Sequence, residues 1–380
     1  MNILKLRLSR LFVACFVALM LFTASCSSLQ EKPYWVFDTK QRIISPPLLS
    51  GSLVLIQTKD SLFALDANIG KSLWVSSGPV DTTFTVNGAY IVPMKATDDL
   101  VVIANGNGPI MTFSINSGKL IWKSQSEADD TDVVSMQIDQ DMVYVARYNS
   151  RLTAYNLRSG DVIWTNIVPD RTSLRIFLMD NKLYLGTDSS LQVLDSKTGT
   201  VLKLISIDDI ATAMAVDKNI LYLALLHGDS AIAALDLATL NYRWSIPRQV
   251  NSSLSDIRSI TLDNDTLYTA GAALNAISPL DGKVLWTVDK GDLLGTPVIH
   301  SEDLYLAGSK YLYIFNKETG AQKQTIVLPQ NFPLSHSIFP QLEPAVVGDK
   351  IFIVEGNSLF VFNSLDQSLS PLVSPTSPTK

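Results

Sequence analysis

All six tryptophans of this 380-residue chain fall in one repeating register. They are Trp35, Trp74, Trp122, Trp164, Trp244 and Trp286. Five of them end copies of an eleven-residue motif such as ALDANIGKSLW, and two further copies end in Lys203 and Gln324 instead. Neighbouring motif ends are 38 to 48 residues apart, and Trp35 lies 39 residues before Trp74. A period near forty residues is typical of the blades of a β-propeller.

The strand pattern within a repeat is clear in residues 141–165. Polar and apolar residues alternate in three segments, DMVYVA, RLTAY and DVIWT, separated by turns rich in Asn, Ser and Gly. In the second turn an Asp or Asn side chain can bond to the backbone two residues on, and a glycine supplies a positive φ. The Asp and Asn residues are Asp66, Asn156, Asp195, Asp236 and Asn316; the glycines are Gly70, Gly118, Gly160, Gly199, Gly282 and Gly320. Leu240 replaces the glycine in one copy, so we expect an irregular turn there.

The two ends of the motif predict packing between blades. A small residue often stands at its head, namely Ala64, Ala154, Ala234 and Ala276, and tryptophan at its foot. Tryptophan brings a large apolar area and an N–H that needs a partner when buried. We therefore assign the tryptophans to blade packing; a ligand-stacking role for them is the alternative.

The repeats number eight, and the ends of the chain share the last one. After the seventh motif, strands are predicted near PAVVG, KIFIVE and SLFVF, but no final strand with a tryptophan follows. Residues 34–38, around Trp35, form a spare strand at the other end. The sequence therefore predicts an all-β, eight-bladed propeller over residues 33–366, in which residues 34–38 complete the last blade. Closure removes exposed sheet edges.

The ends of the chain lie outside this domain. Residues 1–25 read as a lipoprotein signal peptide: a basic start, a short apolar core and small residues before Cys26. Cys26 would carry the lipid, residues 26–32 would form a short linker, and the Ser/Pro/Thr-rich residues 367–380 a disordered tail. An ordinary secretory signal cut near Ser25 is the alternative. A retained transmembrane helix is disfavoured because the apolar core is too short.

Charge and cysteine content narrow the classes of partner. The cysteines are Cys15 and Cys26, so the domain itself can form no disulfide and has no cysteine metal site. Removing residues 1–25 takes away three basic residues and no acidic one, which changes the net charge from −6 to −9. This net charge argues against a nucleic-acid surface, which would need a basic stripe, and membrane contact would depend on the lipid anchor. Ser27 follows the cysteine where an aspartate would retain enterobacterial lipoproteins at the inner membrane, which favours the outer membrane.

The eleven-residue motif resembles the tryptophan-docking motif of pyrroloquinoline-quinone-like propellers, over roughly residues 33–366. The resemblance implies one of two functions. One branch consists of quinoprotein alcohol and glucose dehydrogenases; the other consists of BamB-like lipoproteins, which are non-enzymatic and support insertion of outer-membrane β-barrels. A lipidated single-domain chain resembles the second branch. Fold alone does not decide between them.

Residues for catalysis are not evident in the sequence. The quinone dehydrogenases use a disulfide between adjacent cysteines, a calcium ion and a catalytic aspartate, and this chain has no adjacent cysteines and no D-x-D-x-D-G pattern. The histidines, His227, His300 and His336, lie in different repeats without metal-ligand spacing. No G-x-S-x-G motif is present. We therefore predict no enzyme activity, no cofactor and no metal.

Long connections between blades are the candidate partner surfaces, because propellers bind through such loops. Residues 250–258 and 329–343 are two of them, and the second contains Phe332 and Phe339 as candidate anchors. Burial of these phenylalanines over the channel mouth is the alternative. A third connection carries Glu127, Asp129, Asp130 and Asp132, read as a solvated loop or as a contact for a basic partner.

In BamB-like proteins a loop with a Leu-Ser-Asp core contacts the barrel-assembly subunit. Leu254, Ser255 and Asp256 match that core, whereas Arg258 stands where a second acid is usual. The resemblance implies partner binding by Leu254 and Asp256. The predicted function is a non-catalytic envelope scaffold for β-barrel assembly, at the periplasmic face of the outer membrane or, in a cell with one membrane, outside the cytoplasmic membrane. A quinone-dependent oxidoreductase and a ligand-binding or sensory lipoprotein are the alternatives.

Overall fold

The computed structural model describes thirteen stretches of the compact unit Pro33–Lys380. They are residues 33–77, 94–104, 108–125, 133–139, 141–168, 172–187, 190–207, 211–225, 229–249, 252–290, 295–308, 310–328 and 343–364. These stretches fold into eight four-stranded antiparallel sheets. The prediction of an all-β, eight-bladed propeller is confirmed.

Each sheet forms one blade, numbered here in chain order. Blade 1 contains β2 (Leu48–Ser50), β3 (Leu53–Gln57), β4 (Ser61–Asp66) and β5 (Ser72–Ser77); blade 2 contains β6 (Lys95–Ala96), β7 (Leu100–Ala104), β8 (Ile110–Ser114) and β9 (Leu120–Lys123). Blade 3 contains β10 (Val133–Ile138), β11 (Met142–Arg147), β12 (Arg151–Asn156) and β13 (Val162–Ile167); blade 4 contains β14 (Thr172–Met179), β15 (Lys182–Thr187), β16 (Ser190–Asp195) and β17 (Val201–Ser206). Blade 5 contains β18 (Ala211–Asp217), β19 (Ile220–Leu225), β20 (Ser230–Asp236) and β21 (Tyr242–Pro247); blade 6 contains β22 (Ile257–Asp263), β23 (Thr266–Gly271), β24 (Leu274–Ile277) and β25 (Val284–Val288). Blade 7 contains β26 (Val298–His300), β27 (Asp303–Ala307), β28 (Tyr311–Asn316) and β29 (Gln322–Val327); blade 8 contains β30 (Ala345–Val347), β31 (Lys350–Glu355), β32 (Ser358–Asn363) and β1 (Trp35–Asp38).

The position of a strand within its blade explains its residue pattern. The second and third strands lie between neighbouring blades, so both of their faces are covered; all six residues of β19, ILYLAL, are buried. The fourth strand is the outer edge and alternates instead, as β13 does with VIWTNI. Each tryptophan therefore stands on an edge strand, with its ring directed towards the next blade.

The core is divided into eight apolar clusters among the described residues, one at each boundary between neighbouring blades. One of them joins Phe352 and Val354 of blade 8 to Val54 and Ile56 of blade 1. Eight blades in an open row would share only seven boundaries, so the eighth cluster shows that the ring is closed.

The closing strand is β1, as predicted. It pairs with β32 in the register Trp35↔Val361 to Asp38↔Ser358. The chain then crosses from blade 8 to blade 1, because Ile43 N donates to Gly356 O at 2.9 Å and Ile44 N donates to Gln57 O at 2.8 Å. The N-terminal strand therefore connects the last blade to the first.

The predicted turn chemistry is confirmed, with one correction. Asp66 Oδ1 accepts from Asn68 N at 2.7 Å, and Asp195 Oδ1 accepts from Lys197 N at 3.0 Å. The expectation of an irregular turn at Leu240 is wrong. Leu240 has φ 61° and its N–H donates to Asp236 O at 2.8 Å, as the glycines do in the other copies. The hydrogen bonds of Asp236 hold the turn in this conformation despite the steric cost of a leucine.

The part of the chain that the structure describes contains strands and turns only, and hence no helix long and apolar enough to cross a membrane.

Candidate functional site

The tryptophans connect neighbouring blades at the outer rim of the ring. Each indole lies on the turn glycine of the next blade: Trp35 on Gly70, Trp74 on Gly118, Trp122 on Gly160, Trp164 on Gly199, Trp244 on Gly282 and Trp286 on Gly320. A Cβ at any of these glycines would come within 2.4 to 2.7 Å of an indole carbon. We call this contact the Trp–Gly lock.

A hydrogen bond completes five of these locks. The indole N–H donates to a backbone carbonyl of the next blade, for example Trp122 Nε1 to Leu157 O at 2.7 Å and Trp164 Nε1 to Ser196 O at 3.0 Å. The equivalent bonds of Trp74, Trp244 and Trp286 are 2.8, 2.9 and 3.2 Å long. Among the described residues, no acceptor lies within reach of Trp35 Nε1. Each tryptophan thus packs against the next blade, and five of them also bond to it.

The small residue at the motif head makes room for an aromatic pair. In blade 3, Ala154 stands between Tyr144 on β11 and Trp164 on β13, and the two rings meet over it at 6.2 Å. Blades 5 and 6 repeat the row with Tyr222–Ala234–Trp244 and Tyr268–Ala276–Trp286. Sequence reasoning missed these tyrosines, although the strings VYVA, LYLA and LYTA before the motif mark them. Burial raises the pKa of the equivalent Tyr305 to about 12, so the phenols stay neutral.

Blade 4 departs from the lock at three matched positions. Lys203 replaces the tryptophan, Val193 replaces the small residue that faces it, and Leu240 of blade 5 replaces the glycine. Lys203 Nζ donates to Leu237 O at 2.6 Å, the bond that an indole N–H makes elsewhere. Gln324 also replaces a tryptophan, with Ile314 facing it, but its partner turn lies outside the described residues.

The loop before blade 6 is the predicted partner surface that the structure describes best. Residues 252–256 precede β22, and two polar side chains hold their backbone. Arg248 Nη1 donates to Ser255 O at 3.0 Å, and Asn275 Nδ2 donates to Ser253 O at 3.1 Å. Gly271 lies against this loop, because a Cβ there would be 1.7 Å from Asp256 O. The loop is therefore anchored to its blade, and neither Arg248 nor Asn275 had been recognised from sequence.

An exposed ion pair lies where the loop meets β22, between Asp256 at the end of the loop and Arg258 on the strand. Arg258 Nε and Nη2 donate to Asp256 Oδ2 at 2.9 and 2.6 Å. The side chain of Asp256 is 44% exposed and that of Arg258 is 59% exposed. Leu254, in contrast, is only 7% exposed and belongs to the apolar cluster between blades 5 and 6. In this structure Leu254 supports the loop from below, while the ion pair faces solvent.

Several residues singled out in the sequence lie outside the described part of the chain. They are Cys26, Phe332, Phe339, His227, His336 and the acidic residues Glu127, Asp129, Asp130 and Asp132. His300 lies at the end of β26, paired in register with Asp303. Within the described ranges, no group of three or more His, Cys, Asp or Glu side chains is arranged to hold a metal ion.

Fold and repeated lock together define the class: the chain is a PQQ-like β-propeller. Residues 25–204 and 228–368 match the family described as outer membrane protein assembly factor BamB, and the chain belongs to that family. No curated protein matches the chain.

Three similar solved structures share the fold. The crystal structure of BamB from Moraxella catarrhalis has a TM-score of 0.65 at 15% identity and covers 89% of this chain and 98% of that chain. The computationally designed protein Ika8 has a TM-score of 0.71 at 12% identity, covering 87% and 99%. Quinohemoprotein alcohol dehydrogenase from Comamonas testosteroni has a TM-score of 0.67 at 11% identity, covering 94% and 80%. At these identities the likeness is one of fold.

Proposed function

We propose that this protein is a non-catalytic scaffold of the cell envelope that supports assembly of outer-membrane β-barrel proteins. Family membership supports this reading, and the observation that carries it is the anchored loop 252–256 with its exposed Asp256–Arg258 ion pair. A rigid scaffold that presents a loop in a fixed conformation loses little entropy when a partner binds.

Asp256 and Arg258 would act as one unit in this contact. Because Arg258 binds Asp256 through two donors, the carboxylate is not a free anion before the partner arrives. The partner surface would therefore contain both an acceptor for Arg258 and a donor for Asp256. Phe332 and Phe339, in the connection 329–343, are proposed as further partner anchors. Leu254 would contribute to partner binding indirectly, as the buried residue that supports the loop 252–256.

Capture of a partner tests this proposal directly. Full-length protein with Asp256→Lys should crosslink and retain fewer envelope proteins from detergent-solubilised membranes than the unchanged protein, with an unchanged melting temperature. The matched control is Asp99→Lys, because Asp99 forms a similarly exposed ion pair with Arg158 at 2.8 Å between blades 2 and 3. If the Asp256→Lys protein retains the same partners as the Asp99→Lys protein, this loop is not the partner surface. The double variant Phe332→Ala/Phe339→Ala tests the second connection in the same way.

Attachment to the membrane is proposed through a lipid on Cys26. The support is the basic and apolar leader before this cysteine. The anchor would hold the ring at the periplasmic face of the outer membrane, or at the outer face of the cytoplasmic membrane in a cell with one membrane. Mass spectrometry of the mature N-terminus should find acylated Cys26, and Cys26→Ala should release the domain or leave the precursor uncleaved. An unmodified terminus beyond residue 26 contradicts the proposal.

A quinone-dependent oxidoreductase is the second candidate, because a quinohemoprotein dehydrogenase shares the fold. Incubation of the purified protein with the quinone and calcium should give no dye-linked dehydrogenase activity if the scaffold function is correct. Sustained turnover would favour the oxidoreductase.

A further inference from the structure

The boundary between blade 4 and blade 5 contains a matched set of three exceptions. Leu240 has φ 61°, close to the φ of the lock glycines, so its Cβ takes the position that elsewhere lies 2.4 to 2.7 Å from an indole carbon. A tryptophan at position 203 and a side chain at position 240 therefore exclude each other. Lys203 and Leu240 are compatible because a lysine at position 203 does not place an indole against the Cβ of residue 240.

The rim of this boundary has less aromatic contact than the rim of a boundary with a Trp–Gly lock. At the boundary between blades 2 and 3, Trp122 is 8% exposed and stacks on Tyr155 at 6.0 Å. At the boundary between blades 4 and 5, Tyr184 shares its row with Val193 and Lys203, and the rim bond is that of Lys203 Nζ to Leu237 O. A lysine stem covers less apolar area than an indole and loses more rotamer freedom when it is fixed.

The inner part of the same boundary is well packed. Its apolar cluster includes Leu191 on β16, Leu221 on β19 and Leu235 on β20, all of them buried. Only the rim contact at Lys203 and Leu240 departs from the pattern; the exposure of Leu202 and Leu204 on the edge strand β17, 49% and 57%, is like that of Val162 and Ile163 on β13. Any weakness therefore belongs to the outer edge of this boundary, while the ring as a whole stays closed.

We infer that the rim between blades 4 and 5 is a site of local opening, at which the Lys203–Leu237 bond breaks while the inner cluster stays packed. Opening frees the turn 237–240 and uncovers the flank of β17. Such opening is a sub-global motion, distinct from unfolding of the ring. This conformational property does not depend on the proposed partner or on the membrane anchor.

Hydrogen exchange on the full-length protein tests the inference at two equivalent amides. The N–H of Leu240 donates to Asp236 O at 2.8 Å, and the N–H of Gly160 donates to Asn156 O at 2.9 Å in a turn closed by a Trp–Gly lock. After correction for intrinsic rates, Leu240 should exchange faster by about tenfold, the factor expected from loss of an aromatic contact and its packing. Equal protection of the two amides would overturn the inference.

Transplanting the lock gives a second, independent measurement. Lys203→Trp alone should lower the melting temperature, because the indole meets Leu240. Combined with Leu240→Gly and Val193→Ala, the same substitution should raise it and slow exchange in the turn 237–240. A triple variant that folds with unchanged exchange at that turn contradicts the inference.

The reciprocal variant covers the case in which the triple variant fails to fold. Trp122→Lys with Gly160→Leu should create an opening rim between blades 2 and 3, and the amide at position 160 should then exchange about as fast as that of Leu240. Unchanged protection there would also overturn the inference.

Discussion

The indole of Trp164 lies so close to Gly199 of the next blade that an added Cβ would be 2.6 Å from two of its ring carbons. Gly199 also has φ +70°, which favours glycine independently. The turn glycine is thus required both by its own backbone and by a side chain of the preceding blade. This double requirement explains why tryptophan and glycine recur together along the chain.

Gly199→Ala should destabilise the ring through both requirements. The left-handed backbone costs about 1–2 kcal/mol for alanine, and displacement of the indole adds about 1–3 kcal/mol. Gly51→Ala is the matched control, because Gly51 has φ +56° and no atom within 4 Å of the added Cβ. Urea unfolding of the two variants measures the difference. Equal losses would mean that the indole moves away without cost.

Trp122→Ala should cost on the order of 3–5 kcal/mol in the free energy of unfolding, because it empties a buried aromatic site and removes the bond to Leu157 O. Capture of a partner should change little, since the proposed surface lies elsewhere. Leu120→Ala, on the same edge strand and 39% exposed, should change the free energy by less than about 0.5 kcal/mol. A loss of binding by folded Trp122→Ala would relocate the partner surface.

Deletion of residues 26–38 should markedly lower the melting temperature. It removes β1 and leaves the edge of β32 unpaired, with the cluster around Phe352 and Val354 less covered. Deletion of residues 26–32 retains β1 and serves as the control. Calorimetry of both proteins gives the comparison, and identical melting curves would contradict closure by β1.

Stability should depend on Asp236 at acid pH. The hydrogen bonds from Arg243, together with the backbone N–H of Thr239, hold the pKa of Asp236 at about 2. Because the folded pKa lies below the unfolded value of 3.8, the contribution is complete above about pH 4 and is lost as the pH falls towards 2. Asp236→Asn keeps the turn, as Asn156 and Asn316 do in other copies, and should flatten the acid limb of the stability profile. An unchanged acid limb would mean that the Asp236–Arg243 ion pair does not contribute to the pH dependence of stability.

The sequence predicted the fold well because its signals are local and repeated. Alternating strands, turn glycines and the position of each tryptophan are readable without knowing which segments meet. The number of blades and the closing strand followed from counting. The turn at Leu240 was mispredicted for two reasons. The hydrogen bonds of Asp236 hold the left-handed conformation despite the leucine, and the residue that replaces the tryptophan beside it, Lys203, stands 37 positions earlier and reaches the turn only through the fold.

The candidate site was predicted less completely because it depends on contacts between distant residues. Asp256 could be singled out from the motif, but its ion pair with Arg258 and the anchoring of the loop by Arg248 and Asn275 are visible only in the structure. Leu254 reads as an exposed loop residue and is buried. Side chains such as Phe332 and Phe339 remain predictions, since they lie outside the described residues.

Closure by β1 also determines where the chain enters and leaves the ring. Trp35 pairs with Val361 and Tyr34 N donates to Val361 O at 2.6 Å, so the start of β1 lies beside the end of β32 in blade 8. Topologically the chain is a circle cut at one point, and the cut could be moved. Joining these ends with a short linker and opening the exposed turn at Asp180–Asn181 would give a circular permutant with the same eight blades. In that permutant, blade 4 instead of blade 8 would be completed by strands from both termini.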